Sequence, residues 1–303
     1  MLIMTDFQRK ISAMKLETEL RFFEPMAKHT SFRIGGPAEV MAFPKSREEL
    51  GALLKASALL DKKPAILGAG TNVLAPDSGL EGLVICLKDC LSGIKQLDDN
   101  RIWVAAGVTM TKTAVFAAGI GLSGLEFAHG IPGTVGGGVY MNAGAYGGEI
   151  CQICESVDVM LPSGDMITYA GAEMEFSYRH SRLEEQGGIV LSAVFALEQK
   201  PEAEIRGLMQ ELMARRKKSQ PLDMPSAGSA FKRPVGGYAA ALIDQAGLKG
   251  FRVGDAGISE KHAGFAVNLG KATAENVKSL LQQVSDKVFA ASGIRLEPEV
   301  RIW

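Results

Sequence analysis

The sequence HGIPGTVGGGVYMNAGAYGG, residues 129–148, is the stretch on which the interpretation of the fold depends. It completes a segment, 119–148, that contains 11 of the 35 glycines in this chain of 303 residues. Glycine lets backbone N–H groups approach a bound anion closely, and successive amides can form an anion-binding nest without a lysine. Glycines also occur in the tight turns and bulges of a compact sheet. The residues alone leave both interpretations open.

A literal G-x-G-x-x-G pattern, GIGLSG at residues 119–124, lies at the start of this segment. The dinucleotide-binding fingerprint needs a strand before the pattern and a helix after it. Here a helical pattern comes before the match, and we expect no helix in the glycine-rich residues after it. The sequence therefore does not predict a Rossmann site. It also contains no G-x-x-x-x-G-K-[ST] motif, so a P-loop ATPase or kinase is not predicted.

The overall composition is that of a globular protein with a sizeable core, since 47% of the residues are hydrophobic and 22% are charged. The net charge of −1 lacks the positive excess that a general nucleic-acid binder needs. Neither a signal-peptide core nor an apolar run of membrane-spanning length occurs. We expect a cytoplasmic monomer or weak oligomer whose partners are small molecules rather than nucleic acid or membrane.

The cysteines, at positions 86, 90, 151 and 154, are too sparse for a disulfide framework. Cys151 and Cys154 look like half of a zinc site, and Cys86 with Cys90 could be the other half. The spacings do not fit the common zinc knuckles, and Cys86 lies in an apolar run. We expect no bound metal.

Hydrophobic periodicity changes near residue 200. Before this point, short β-rich runs alternate with glycine turns, and helices are predicted only after Ser46 and from Thr109 to Gly119. After Pro201, apolar residues recur at helical spacing, and a later helix with an apolar face ends before Gly293. The mixture predicts an α+β protein with a domain boundary near residue 200.

Motifs spread over the chain add a resemblance. The segments, in order, are HTSFRIGGPAEV from His29, LGAGTNVL from Leu67, GLEFAHGIPGTVGGGVYMNAGAYGGEI from Gly124, FSYRHSRL from Phe176, SAGSAFKRP from Ser226, KHAGFAVNLG from Lys261 and LEPEVRIW from Leu296. Together they resemble the UDP-N-acetylenolpyruvoylglucosamine reductase family. The combination of GIPGTVGG, GS-x-FK and LEPEVR is highly specific, and the resemblance covers nearly the whole chain.

The resemblance implies an FAD-binding fold of the vanillyl-alcohol-oxidase (PCMH) type over residues 1–200, made of two subdomains at about 20–90 and 91–200. An α+β substrate-binding domain is implied at 201–303. FAD is the implied cofactor and NADPH the implied co-substrate. Some relatives of this fold attach FAD through a histidine in the first glycine loop. Because GAGTN at 68–72 contains no histidine, we expect noncovalent FAD.

The implied reaction yields UDP-N-acetylmuramate, a peptidoglycan precursor. NADPH reduces FAD, and a hydride from flavin N5 then reduces the enolpyruvyl ether of UDP-N-acetylglucosamine. Hydride delivery to the methylene carbon leaves negative charge on the next carbon, which must be stabilised and then protonated. By resemblance, Ser229 donates the proton, and Arg179 and Glu299 are its partners at the intermediate.

These three roles make chemical sense but rest on the family. Arginine supplies a permanent positive charge suited to a carboxylate or enolate, and a serine needs neighbours that make proton transfer feasible. An anionic Glu299 would oppose the developing charge, so we expect it to be protonated or hydrogen-bonded in the complex. On the residues alone, Ser229 would be a turn residue, Arg179 a surface charge and Glu299 an exposed residue of an edge strand.

Two glycine loops carry the expected FAD contacts: the first is LGAGTNVL at residues 67–74, and the second is the glycine-rich stretch at residues 129–148. Their threonines and asparagines add groups that could form hydrogen bonds with a ribityl chain or ring edge. The expected cofactor residues are Gly68, Ala69, Gly70, Thr71, Asn72, Val73, Leu74, Gly130, Ile131, Pro132, Gly133, Thr134, Gly136, Gly137, Asn142, Ala143 and Gly144.

The expected substrate contacts lie mainly in the last domain. Lys217 and Lys218 end a helix, where cations also simply favour the helix dipole. His262 could bond a carboxylate or diphosphate, whereas packing or surface exposure is expected of His29, His129 and His180. The full set of substrate candidates is Lys217, Lys218, Lys232, Arg233, Tyr238, Lys249 and His262.

Fifty positions separate Arg179 from Ser229, and no tyrosine lies between them. The chain thus resembles a shorter subtype of the family, which lacks an inserted tyrosine-bearing loop that closes over substrate. Two other functions stay open: an oxidase of a small alcohol or sugar lactone, and a non-catalytic module that binds flavin or a sugar nucleotide. A positioned proton donor favours the reductase, because an oxidase has no carbanion to protonate.

Overall fold

Helices and strands are interspersed along the chain, which confirms the α+β class. The structure, a computed structural model, describes residues 4–88 and 90–303. None of the helices in these residues is long and apolar enough to cross a membrane. The α-helices are α1 (Asp6–Ala13), α2 (Arg47–Leu59), α3 (Met110–Gly119), α4 (Val135–Tyr140), α5 (Leu183–Gln186), α6 (Glu202–Ser219), α7 (Ala239–Gln245) and α8 (Ala274–Ser292). The strands are β1 (Glu19–Pro25), β2 (Pro37–Phe43), β3 (Ala65–Leu67), β4 (Val73–Leu74), β5 (Leu80–Cys86), β6 (Ile94–Gln96), β7 (Arg101–Ala105), β8 (Leu122–Ser123), β9 (Gly144–Ala145), β10 (Gly148–Glu149), β11 (Cys154–Met160), β12 (Met166–Ala170), β13 (Ile189–Ala196), β14 (Glu198–Gln199), β15 (Ser226–Ser229), β16 (Arg252–Val253), β17 (Ala256–Ile258), β18 (Phe265–Asn268) and β19 (Arg301–Ile302).

Contacts between residues divide the chain into two compact units. The first comprises residues up to 22, 40–69 and 82–215, and the second comprises 23–39, 70–81 and 216–303. The division falls within β1, β2 and β5, within the first glycine loop between Ala69 and Gly70, and within α6. The second unit therefore combines the C-terminal residues with two segments from early in the chain.

An antiparallel sheet of five strands, in the order β12-β11-β13-β7-β6, organises the core of the first unit. Ile102, Val104 and Phe195 are fully buried on this sheet and pack in one cluster with apolar residues of α3 and α4. A further sheet has the order β1-β2-β5-β3, and β3 pairs in parallel with β5. Leu50, Leu53 and Leu54 of α2 pack in a separate cluster with residues of β2 and β5. The short β-rich runs in this part of the sequence therefore correspond to strands of these sheets.

The core of the second unit is built on the sheet β15-β18-β17-β16 and on helices α7 and α8. The side-chain oxygen of Thr273 accepts a hydrogen bond from Asn276 N at 3.0 Å and starts α8. Gly293 ends α8 with a φ of +72°, as the sequence predicts. The predicted apolar face of α8 is confirmed, since its members are buried: Val277, Leu280, Leu281, Val284 and Val288.

The glycine-rich stretch contains a short helix, α4, so the expectation of no helix after GIGLSG was wrong. The helix begins after Thr134 and runs through three consecutive glycines. A Cβ at Gly136 would lie 3.0 Å from Cβ of Ala106, and one at Gly138 would lie 2.7 Å from the sulfur of Met110. Tight packing that only glycine permits therefore overrides the poor helix propensity of glycine. Ten residues, 125–134, separate the helix from the GIGLSG match, so the helix does not restore a Rossmann site.

Asp77 connects the segment after the first glycine loop to the start of α8. Its carboxylate accepts hydrogen bonds from Ala274 N at 2.8 Å and Glu275 N at 3.1 Å. We predict that Asp77→Ala lowers the free energy of unfolding by about 1–2 kcal/mol, because it leaves these amides without a partner. Urea denaturation of wild type and variant measures the difference. Equal stability of the two proteins would contradict the role given to this carboxylate.

Candidate active site

Ser229 ends strand β15, which is irregular. Ser226 pairs with Val267 and Ser229 with Phe265, and the register shifts between these pairs. Gly228 has a φ of +76°, in the region that favours glycine. This bulge leaves Ser229 exposed at the end of the strand, where a ligand can reach its hydroxyl.

The C-terminal segment brings Glu299 close to Ser229 in the fold. Lys232 N donates a hydrogen bond to Glu297 O at 2.8 Å, and Glu299 N donates to Ala230 O at 2.9 Å. The bonds form a short antiparallel ladder. Although Ser229 and Glu299 are 70 positions apart in the sequence, the ladder makes their backbones near neighbours.

The first glycine loop reaches the same ladder within the second unit. Asn72 Nδ2 donates a hydrogen bond to Glu299 O at 3.3 Å, and Arg301 N donates to Asn72 O at 3.0 Å. Val73, which follows in the chain, pairs in parallel with Arg301. An expected cofactor residue, Asn72, is therefore hydrogen-bonded to the backbone of an expected catalytic residue.

Gly68 and Thr134, from the two glycine loops, lie side by side within the first unit. A Cβ at Gly68 would lie only 3.1 Å from Oγ1 of Thr134. The amides of Gly68, Ala69, Gly133 and Thr134 donate no hydrogen bond to another residue within 4–88 and 90–303. Backbone N–H groups without protein partners, close together on two glycine-containing loops, are suited to bind anionic oxygens such as those of a diphosphate.

Other amides of the second glycine loop are used by the fold itself. Gly130 N donates to Thr111 Oγ1 at 3.3 Å, and Gly136 N donates to Ala106 O at 2.9 Å. These bonds hold the loop in place rather than offer donors to a ligand. The other expected cofactor residues lie in the same loop, in α4, in the turn after it or at the start of β9: Ile131, Pro132, Gly137, Asn142, Ala143 and Gly144.

Asn142 holds the end of this loop with its side chain. Its Nδ2 donates to Glu149 Oε2 at 3.1 Å and to Ser177 O at 3.0 Å, and its Oδ1 accepts from Cys151 N at 2.9 Å. The residue is buried and has a positive φ of +40°. Its amide group therefore connects the second glycine loop to the segment that carries Arg179.

Arg179 lies in a turn next to this loop. Its φ is +56°, a conformation that costs a non-glycine residue of order 1 kcal/mol. Its guanidinium Nη2 donates to Gly144 O at 3.2 Å and lies beside the ring of Tyr178. Arg179 belongs to the first unit, whereas the other two expected catalytic residues belong to the second.

His129 immediately precedes the GIPG turn of the second loop. Its Nδ1 is shielded from solvent and has no hydrogen-bond partner in the described part of the chain. A buried polar atom left without a partner costs about 1–3 kcal/mol, a cost that a polar ligand atom would remove. The sequence alone predicts only packing or exposure for His129, although the adjacent GIPG motif is a signal for a role in the loop. The amides and this nitrogen fit a ligand with both anionic oxygens and polar ring or polyol atoms, as FAD has.

His262 is placed beside the Ser229 strand. Gly264 N donates to His262 Nδ1 at 3.1 Å, and Ala230 N donates to Gly264 O at 2.8 Å. Burial, together with the nearby charge of Lys249, lowers the pKa of the imidazole. Because Nδ1 accepts a hydrogen bond, the neutral ring carries its proton on Nε2 and can donate it to a ligand.

The remaining substrate candidates fall into two groups within the second unit. Lys217 and Lys218 are at the end of α6, where Lys261 Nζ donates to Lys217 O at 2.7 Å. This bond brings the end of α6 next to the segment that contains His262. Elsewhere, Lys232 forms an ion pair with Glu297 at 3.4 Å, Lys249 one with Asp244 at 2.6 Å, and the Arg233 guanidinium lies 4.6 Å from the ring centroid of Tyr238.

We predict a pH dependence for His262. Because its pKa in the folded state is lowered, the unfolded chain binds more protons below about pH 6.5, and stability falls as the pH drops through that range. NMR titration of the ring protons should give a midpoint below about 6.5. In His262→Gln, the free energy of unfolding should change less between about pH 7 and 5 than in wild type. A midpoint above the usual histidine value would contradict the prediction.

Comparisons with known proteins agree with this architecture. Residues 38–170 match the family described as FAD binding domain, and residues 220–303 match the one described as UDP-N-acetylenolpyruvoylglucosamine reductase, C-terminal domain. These matches define an FAD-dependent oxidoreductase, and the expected FAD-binding fold of the PCMH type with a C-terminal α+β domain is confirmed.

Relatives over almost the full length identify the family. A UDP-N-acetylenolpyruvoylglucosamine reductase of Agathobacter rectalis is 47% identical and covers 92% of each chain. One of Caldanaerobacter subterraneus subsp. tengcongensis is 45% identical over 97% of this chain and 96% of the relative. The crystal structure of the Thermus caldophilus reductase matches with a TM-score of 0.79 and 37% identity, over 95% of this chain and 99% of that one. The chain belongs to the UDP-N-acetylenolpyruvoylglucosamine reductase family.

Proposed function

We propose that this protein catalyses the NADPH-dependent, FAD-mediated reduction of UDP-N-acetylglucosamine enolpyruvate to UDP-N-acetylmuramate, a peptidoglycan precursor, in the cytoplasm. The names of its relatives support the substrate. The observation that carries the residue roles is the short ladder that makes the Ser229 and Glu299 backbones near neighbours. Residues 1–200 would serve FAD binding, and residues 201–303 would serve substrate binding.

Ser229 would donate the proton that completes the reduction. Its exposure at the end of a bulged strand leaves the hydroxyl accessible to a ligand. Glu299, whose backbone is fixed by the ladder, would keep the hydroxyl oriented for that transfer. Arg179 would stabilise the negative charge on the substrate carboxylate with its permanent positive charge. The chemistry supplied by FAD, when bound, is the transfer of a hydride between NADPH and the enolpyruvyl group.

The substrate diphosphate would be bound by cationic and donor groups of the second unit. His262 offers an Nε2–H, and Lys217 and Lys218 lie at the end of α6 beside the same segment. Lys232, Lys249 and Arg233 add positive charge, and Tyr238 supplies an exposed aromatic ring. Charge-assisted hydrogen bonds from such groups are the usual means of binding a diphosphate.

The proposed function is tested by separating the half-reactions under anaerobic conditions. NADPH should bleach the flavin of the purified protein, and the enolpyruvyl substrate should restore its colour. We predict that Ser229→Ala leaves bleaching within about twofold of wild type and slows the restoration about 10²- to 10⁴-fold, because only the second step needs the proton. Ser163→Ala, which removes an exposed hydroxyl from the turn between β11 and β12, serves as the control. Equal slowing of both steps would contradict the role of Ser229, and failure of the wild-type flavin to recover would contradict the reductase.

We also propose that His129 Nδ1 is a hydrogen-bonding group for FAD. His129→Leu should weaken FAD binding to the apoprotein about tenfold, the effect of about one lost hydrogen bond. His129→Asn keeps a polar atom near the position of Nδ1 and should bind FAD more tightly than the leucine variant. Flavin fluorescence quenching measures both affinities. Unchanged affinity in His129→Leu would assign the residue to packing alone.

A further inference from the structure

Ser31 connects two segments of the second unit that are far apart in sequence. Its backbone N donates a hydrogen bond to Gly70 O at 3.0 Å, in the first glycine loop. Its hydroxyl Oγ donates to Ser226 O at 2.6 Å, at the start of β15, and lies 3.3 Å from Gly70 O. One half-buried residue, Ser31, is thus hydrogen-bonded both to the first glycine loop and to the strand that ends in Ser229.

The bulge makes the contact at Ser226 important for the position of Ser229. A regular ladder would fix every residue of β15 against β18, but here the register shifts between Ser226 and Ser229. An extra residue in a strand frees the local backbone from regular pairing. Backbone bonds of Ala230 to Gly264 and Glu299 hold the chain after the bulge. Before the bulge, Asn268 N donates to Pro225 O at 2.9 Å, and Ser31 Oγ adds the bond to Ser226 O. The position of Ser229 therefore depends in part on the bond from Ser31.

The first glycine loop is held equally closely on its other side. A Cβ at Gly70, whose φ is +64°, would lie only 2.0 Å from His29 O, so the loop backbone packs directly on the segment that carries Ser31. Two residues further on, Asn72 bonds the backbone of Glu299. The loop is thereby fixed to the segments of both Ser229 and Glu299.

We infer that Ser31 is a positioning residue, whose hydroxyl holds the Ser229 strand in a fixed place relative to the first glycine loop. The inference rests on the proposed function, in which hydride and proton are added to adjacent carbons of one substrate. The donor of the proton must then keep a constant position relative to the loop that holds the cofactor. A displacement of about 1 Å in such an arrangement can slow a reaction by about 10²-fold.

The test compares Ser31→Val with Ser31→Thr, which have nearly the same shape and differ by one hydroxyl. Ser31→Val should slow flavin recovery by saturating enolpyruvyl substrate roughly 10- to 100-fold while bleaching by NADPH stays within about twofold. Ser31→Thr should recover most of the wild-type rate. Thr30→Val is the matched control, because the neighbouring Thr30 hydroxyl makes only a local bond to Ile34 O at 3.0 Å.

Hydrogen–deuterium exchange of the apoprotein gives a readout that does not depend on catalysis. Residues 68–74 and 226–230 should both exchange faster in Ser31→Val than in wild type, but not in Ser31→Thr or Thr30→Val. Unchanged exchange in Ser31→Val, or the same slowing of both half-reactions, overturns the inference. If the wild-type flavin does not recover with substrate, the proposed function fails, whereas exchange of the two segments still decides whether Ser31 connects them.

Discussion

The backbone pairing between the segment after Ser229 and the segment around Glu299 is the interaction on which the placement of these two residues in the second unit depends. It consists of the bonds from Lys232 N to Glu297 O and from Glu299 N to Ala230 O. Both bonds require the segment after α8 to lie beside the segment that follows β15. The core of α8 makes that arrangement possible, because Ser285 on this helix bonds Leu296 through both its donor and its acceptor. Leu296 is itself buried in the same cluster as the apolar face of α8. Burial of that helix therefore determines where Glu299 is placed.

The glycines of residues 119–148 serve more than one purpose, which is why their number alone left two interpretations open. Gly138 packs α4 against Met110, and Gly148 faces the ring of Phe127, where a Cβ would lie only 2.4 Å away. Gly133, by contrast, keeps an amide without a partner in the described residues, next to Thr134. Close packing and available donors are separate consequences of lacking a side chain. Close packing fixes the shape of the loop, and in that shape its remaining N–H groups are available to a ligand.

The sequence predicted most reliably those elements whose signals are local. The apolar face of α8 and its end at Gly293 need only helical spacing and one glycine. The helix α4 could not be predicted in this way, because its stability comes from packing on Ala106 and Met110 rather than from its own residues. Glu299, which the residues alone would place in an edge strand, lies before the final strand, in which Arg301 and Ile302 pair with β4.

Most of the candidate site could not be predicted from local sequence patterns. Ser229 and Glu299 are 70 positions apart, and no spacing rule connects residues at that distance. The family resemblance identified these two residues as catalytic candidates. The ladder that joins their backbones follows from the topology of the fold and could not be predicted from the sequence. Ser31 and His129 lie within quoted motifs, but the sequence of those motifs does not indicate a role for either side chain. Their importance follows from partners, or from the lack of one, that only a folded chain reveals.

Each glycine loop is hydrogen-bonded to a segment that carries an expected catalytic residue. In the second unit, the first loop is joined to the strand of Ser229 through Ser31 and to Glu299 through Asn72. In the first unit, Asn142 and the hydroxyl of Ser181, which donates to Tyr140 O at 2.8 Å, hold the turn of Arg179 against the second loop. Hydrogen bonds of this kind offset the cost of the positive φ at Arg179. Order imposed on either loop by a bound ligand would pass directly to these residues, so the proposed cofactor binding and the preorganisation of the expected catalytic groups would depend on the same contacts.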